Sequence, residues 1–91
     1  MPIKVEIPTS LRPTCGGATE LFVSAKTVRA ALAQLAKDHP SLYTCVCDET
    51  GAVRRHMNLF VNSSIVNRPE GLDTALRSGD VLFIMTAVSG G

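Results

Sequence analysis

The sequence predicts an α+β domain in which a mixed sheet packs on one main helix. Three observations lead there. "IKVEI" at residues 3–7 sets Ile3, Val5 and Ile7 against Lys4 and Glu6, the period-two pattern of a strand with one buried face. "VRAALAQLAKD" at 28–38 repeats its apolar residues at helical spacing. "VLFIM" at 81–85 is a continuous apolar run of strand length.

After the first strand, Pro8 interrupts ladder pairing, and a loop carrying Pro13, Gly16 and Gly17 leads into a second short strand, "TELFVS" at 19–24. A loop of this size between neighbouring strands suits a hairpin. In the helix that follows, Val28, Ala31, Leu32 and Leu35 fall at i, i+3, i+4 and i+7, with Arg29, Gln34 and Lys37 on other faces. Thr27 is positioned to cap its first free amides. Pro40 stops it, because the residue before a proline, His39, is pushed out of helical geometry.

From 41 to 56 the periodicity weakens: "DETGA" reads as a turn and "RRH" as a charged approach to the next strand. "MNLFVN" at 57–62 resumes alternation, "SS" turns the chain, and Ile65 and Val66 form a short pairing segment before "NRPEG". "GLDTAL" at 71–76 is long enough for one helical turn, and "RSGD" turns the chain into "VLFIM", a strand buried on both faces or buried on one and sticky on the other. The expected order is ββαβ(β)β, an α+β roll with the helix laid across one sheet face.

Composition narrows the function. With 91 residues the chain holds one core, since a domain of this size buries only about 60 to 65% of its unfolded surface. A net charge of +1 with 19% charged residues provides no basic footprint for nucleic acid. The opening residues lack the charged flank and apolar core of a signal peptide, and no apolar run approaches the roughly 20 residues that span a bilayer, so the expected location is cytoplasmic. Cys15, Cys45 and Cys47, an odd number, fit reduced thiols better than a disulfide framework.

Side-chain catalysis is poorly supported. His39 and His56 have no Ser or Cys partner at a telling spacing. Cys45 and Cys47 can reach one metal ion, but a structural zinc site needs two more ligands, and Cys15, His39 and His56 are scattered; the plainer reading is a pair of small semi-buried residues on an extended segment. "CGG" at 15–17 and the turn glycine at 51 lack the spacing, lysine and following helix of a phosphate cradle.

The remaining chemistry lies in "TAVSGG", residues 86–91, read as a flexible tail after a folded domain of residues 1–85. A terminus of a small domain ordinarily frays. This one follows a strong strand directly, shrinks in side-chain size and closes on Gly90 and Gly91. From Met85 to Gly91 an extended chain reaches roughly 20 Å, enough to thread a groove in another protein. Glycine suits a narrow channel, having no Cβ. A terminal carboxylate, ionised near neutral pH, is an oxygen nucleophile toward an activated phosphate, and an acyl adenylate would result.

"KVEIPTSLRP", "MNLFVN" and "SGDVLFIMTAVSGG" together resemble the ubiquitin-like β-grasp sulfur carriers, the family that includes the small subunit of molybdopterin synthase and the thiamine sulfur carrier. The resemblance spans the chain and is strongest to the mycobacterial cysteine-biosynthesis type, with its "IPT-LRP" start and "A-V-x-G-G" terminus. It implies a noncatalytic protein substrate with no bound cofactor or metal. Gly91 would carry the adenylate and then a thiocarboxylate, Gly90 would let the tail enter the activating enzyme, and Ala87, Val88 and Ser89 would line the threading groove. Phe60 and Phe83 would belong to an apolar docking face. The implied partners are an E1-like adenylating enzyme that consumes ATP, a sulfur donor, a sulfur-accepting synthase and a metalloprotease that releases product from the tail. Molybdopterin or another thio-metabolite is the alternative destination, and a ubiquitin-like modifier joined to lysines through Gly91 is the alternative of a different class. The three cysteines have no role in the family pattern.

Overall fold

A computed structural model of the chain describes residues 2–86. Its strands are β1 (Pro2–Glu6), β2 (Glu20–Ser24), β3 (Met57–Val61), β4 (Ser64–Ile65) and β5 (Val81–Thr86), and its α-helices are α1 (Val28–Asp38) and α2 (Pro40–Val46). They form one five-stranded sheet in the order β2-β1-β5-β3-β4. The central pair, β1 and β5, is parallel, and every other pairing is antiparallel. This is the mixed sheet on a main helix that the alternation and the helical stripe predict.

The core lies between the sheet and the helices. Ile3 and Val5 of β1, Leu59 of β3, and Leu82 and Ile84 of β5 all turn to the same side and are buried. They meet Val28, Ala31, Leu32 and Leu35, the whole predicted stripe of α1. Thr27 caps α1 as expected, its Oγ1 accepting from the Ala30 amide at 3.1 Å. The helix start is also tied to the chain entering β5: the Val28 amide donates to Thr74 and the Leu76 amide to Lys26.

The segment 41–56 departs from the sequence reading. Pro40 ends α1 and also starts α2, occupying the first-turn position where a missing N–H costs nothing. Leu42 and Val46, four apart, bury one face of this short helix. Cys45 therefore lies within a helix and Cys47 at its C-terminal cap, and the extended segment expected around Val46 is corrected. The next turn is organised by Asp48, whose carboxylate accepts from the Thr50 amide at 2.8 Å, the Thr50 hydroxyl and the Ala52 amide. Gly51 takes φ +88°, a left-handed conformation that glycine adopts without strain.

Two 3-10 helices complete the connections. Thr9–Cys15 fills the loop expected between β1 and β2, and Pro69–Asp73 lies two residues ahead of the turn expected at 71–76. In the second, Gly71 packs directly on the backbone of Val66, where an added Cβ would come within 2.8 Å of the carbonyl oxygen.

Candidate docking face and tail base

Register decides which residues share the outer face. Because side chains alternate along a strand, Lys4 and Glu6 of β1, Asn58 and Phe60 of β3, and Val81, Phe83 and Met85 of β5 point away from the core. The pairings Glu20↔Glu6, Glu6↔Phe83, Phe83↔Phe60 and Phe60↔Ile65 align one row across all five strands. The row is acidic at the β2 edge and apolar from the centre to the β4 edge. Met85, opposite Asn58, widens the apolar part towards the end of β5.

The apolar half is open to solvent. Ile65 is 59% exposed and Met85 47%, and Phe60 and Phe83 are half-buried beside them. Phe60, Asn62, Ser63, Phe83 and Met85 line a shallow depression of about 330 Å³. "VLFIM" is thus buried on one face, through Leu82 and Ile84, and sticky on the other. Phe22, 59% exposed, stands apart from this patch, opposite Lys4. Lys4 lies 3.4 Å from Glu20 and 3.9 Å from Glu6, so an acidic excess borders the apolar patch.

Polar side chains hold the patch in shape from both sides. Asn67 donates through Nδ2 to the Met57 carbonyl and the Asn58 side chain, and accepts the Leu59 amide through Oδ1. It thereby replaces the backbone partner that the two-residue β4 is too short to supply. At the other end, Asn62, at φ +55°, accepts from the Val81 amide and donates to Asp80, each at 3.1 Å. The Arg77 amide and then the Asn62 side chain hold the Asp80 carboxyl below its usual range.

A second groove of about 510 Å³ runs along the other side of β5, lined by Glu6, Ile7, Pro8, Thr9, Arg12 and residues 83–86. Phe83 and Met85 are common to both depressions. The chain leaves β5 at Thr86, beside this groove. The tail positions Ala87, Val88, Ser89, Gly90 and Gly91 lie outside the described residues.

Among the described residues no three His, Cys, Asp or Glu side chains converge as metal ligands would. Cys15, Cys45 and Cys47 are free thiols, and burial pushes the Cys47 thiol up to about 11. His39 joins α1 to α2, and His56 is exposed ahead of β3. No helix among the described residues is long and apolar enough to cross a membrane.

Sequence reasoning singled out Phe60 and Phe83, and the structure pairs them side by side. It missed Ile65, Met85 and Asn67, whose places depend on register. It also quoted Arg12 within "SLRP" without assigning it a role.

A mixed sheet with a central parallel pair, packed on α1, defines a ubiquitin-like β-grasp domain. The chain belongs to the ThiS family, whose model matches residues 5–91. Over 93 aligned residues it is 34% identical to the sulfur carrier protein CysO of Mycobacterium tuberculosis, with each chain covered in full. A chain of the BexX/CysO complex of Amycolatopsis orientalis superposes with a TM-score of 0.84 at 30% identity, covering 98% of this chain and 99% of that one. Small archaeal modifier protein 1 of Methanosarcina acetivorans gives 0.82 at 27% identity, with 99% and 96% covered.

Proposed function

We propose that this protein is a noncatalytic sulfur carrier whose working group is the carboxylate of Gly91. An E1-like enzyme binds the apolar outer face and receives the tail, Gly90 giving clearance and Ala87, Val88 and Ser89 lying in the entry groove. The carboxylate oxygen attacks the α-phosphorus of ATP and pyrophosphate leaves, forming an acyl adenylate. A sulfide-level sulfur nucleophile then attacks the acyl carbon and AMP leaves as the acyl–phosphate bond breaks, so that Gly91 ends in a thiocarboxylate. The thiocarboxylate is a softer and stronger nucleophile than the carboxylate, and a synthase consumes it, with cysteine as the sulfur's destination and a metalloprotease freeing the product from the tail.

The observation that carries this reading is the end-to-end similarity to CysO, a sulfur carrier protein matched over its whole length. Support for partner proteins comes from solved complexes of similar chains: CysO with BexX, and the two subunits of the Helicobacter pylori molybdopterin-converting factor, a likeness of fold at 20% identity. The apolar depression at the foot of the tail gives such a partner a surface to hold while the tail extends past it.

A second reading, a protein modifier, is favoured by the likeness to small archaeal modifier protein 1. Both readings share adenylation and separate at the next step. Capturing the protein from its own cells and fragmenting the C-terminal peptide by mass spectrometry tests them. A thiocarboxylate at Gly91 is the expected product, and a lysine isopeptide with no thiocarboxylate overturns the carrier reading in favour of the modifier.

A further inference from the structure

Arg12 is a preorganised cation at the place where the chain leaves the sheet. Its Nε donates to the Ile7 carbonyl at 3.1 Å, which aims the guanidinium across the exit of β1. Its backbone is equally constrained: the Gly17 amide donates to the Arg12 carbonyl at 2.8 Å, and the neighbouring Leu11 packs on the core. Among the described residues Arg12 has no ion pair, whereas Lys4 has two and Arg29 has one. It lines the groove of about 510 Å³ along β5, and that groove shares Phe83 and Met85 with the apolar depression. Glu6, the carboxylate among the groove's described lining residues, lies 3.9 Å from Lys4.

We propose that Arg12 receives an Asp or Glu side chain of the E1-like activating enzyme and so fixes how that enzyme sits at the base of the tail. The assignment rests on the carrier reading above and goes beyond it in naming the partner's chemistry. The occupant is argued from charge complementarity and continuity: a half-buried arginine fork without an internal anion adjoins the apolar depression, and guanidinium pairs with carboxylate in a planar, two-pronged geometry. An apolar contact alone can slide over Phe60, Phe83 and Met85. A charged contact beside Thr86 fixes register and direction, which electrostatic complementarity does more effectively than it adds raw affinity. Arg12 is on this account a positioning residue.

The test is steady-state ATP–pyrophosphate exchange by the E1-like enzyme of the same organism, with the full chain and its Arg12→Gln, Arg12→Glu and Arg12→Lys variants. The KM for the carrier is expected to rise about tenfold for Arg12→Gln, further for Arg12→Glu, and to stay within about threefold for Arg12→Lys, with kcat and the KM for ATP unchanged. Added salt should raise the KM of the parent chain more steeply than that of Arg12→Gln. An unchanged carrier KM in Arg12→Gln and Arg12→Glu overturns the assignment. So does a changed KM for ATP, which would make Arg12 a phosphate ligand, or a KM that follows lost thermal stability and does not recover in Arg12→Lys. Absence of exchange with the parent chain overturns the carrier reading itself, so the two failures are distinguishable.

Discussion

Replacing Asn67 with alanine should destabilise the domain through the backbone of β3. The Leu59 amide and the Met57 carbonyl both point to the β4 side, where β4 is only two residues long, and the Asn67 side chain satisfies both. Leu59 is fully buried and Met57 is 1% exposed, so water replaces the lost partners poorly. A buried N–H left without an acceptor costs about 1–3 kcal/mol, and the carbonyl, nearer the sheet edge, adds about 1 kcal/mol. The expected loss is about 3 kcal/mol, which in a domain of this size lowers Tm by roughly 15 °C. Urea and thermal denaturation followed by circular dichroism measure it, with an unchanged urea m-value as the sign that only the native state is affected. Asn67→Asp is the control. It keeps the acceptor for Leu59 but turns a carboxylate towards the Met57 carbonyl and the Asn58 Oδ1, so its stability should lie below that of the parent at neutral pH and recover on acidification. A loss below about 0.5 kcal/mol in Asn67→Ala would refute the reasoning, because it would mean that β3 does not depend on this side chain.

Three further outcomes are expected. Gly71→Ala forces a Cβ within 2.8 Å of the Val66 carbonyl oxygen and should cost about 1–3 kcal/mol in urea denaturation; a neutral result would mean the 3-10 helix shifts freely. The Thr50 hydroxyl, followed by the Thr50 amide, holds the Asp48 carboxyl below its usual range. Its folded value lies under the unfolded one of about 3.9, so its contribution is present above that value and lost as pH falls through the folded one. Asp48→Asn should therefore trail the parent near neutral pH and close the gap in strong acid, as urea midpoints across pH will show. Burial raises the Cys47 thiol from 9.0 to about 11, so a mildly alkaline alkylation should modify Cys15 and Cys45 first and spare Cys47 until unfolding, as peptide mapping will show. The same shift means that stability falls as pH rises from about 9 through about 11, the folded thiol resisting ionisation that the unfolded one accepts.

The parts of the fold legible in the sequence are those set by local pattern. Val28, Ala31, Leu32 and Leu35 announce α1, with Thr27 as its cap, alternation announces β1 and β3, and a continuous apolar run announces β5. α2 was hidden because Pro40 is both a helix stop and a good helix start, and because Tyr43, Thr44, Cys45 and Val46 have weak helical preference; tertiary burial of Leu42 and Val46 overrides it. The docking face was legible only in outline. An apolar face holding Phe60 and Phe83 was implied by the family resemblance, but which alternate residues face outward, and the row Glu20, Glu6, Phe83, Phe60, Ile65, depend on nonlocal pairing and register, which a linear pattern does not encode. Arg12 and Asn67 were hidden for the same reason, since each acts through a backbone group five to ten residues away that only the folded chain brings near.

The carrier claim is tested most directly by intact-mass spectrometry of the purified protein after incubation with ATP, the organism's E1-like enzyme and a sulfide source, beside a chain lacking Gly90 and Gly91. The account predicts a mass gain equal to the exchange of one oxygen for sulfur, located in the C-terminal peptide, and none in the truncated chain. An unchanged mass, with the same enzyme shown to be active on another carrier, would contradict it.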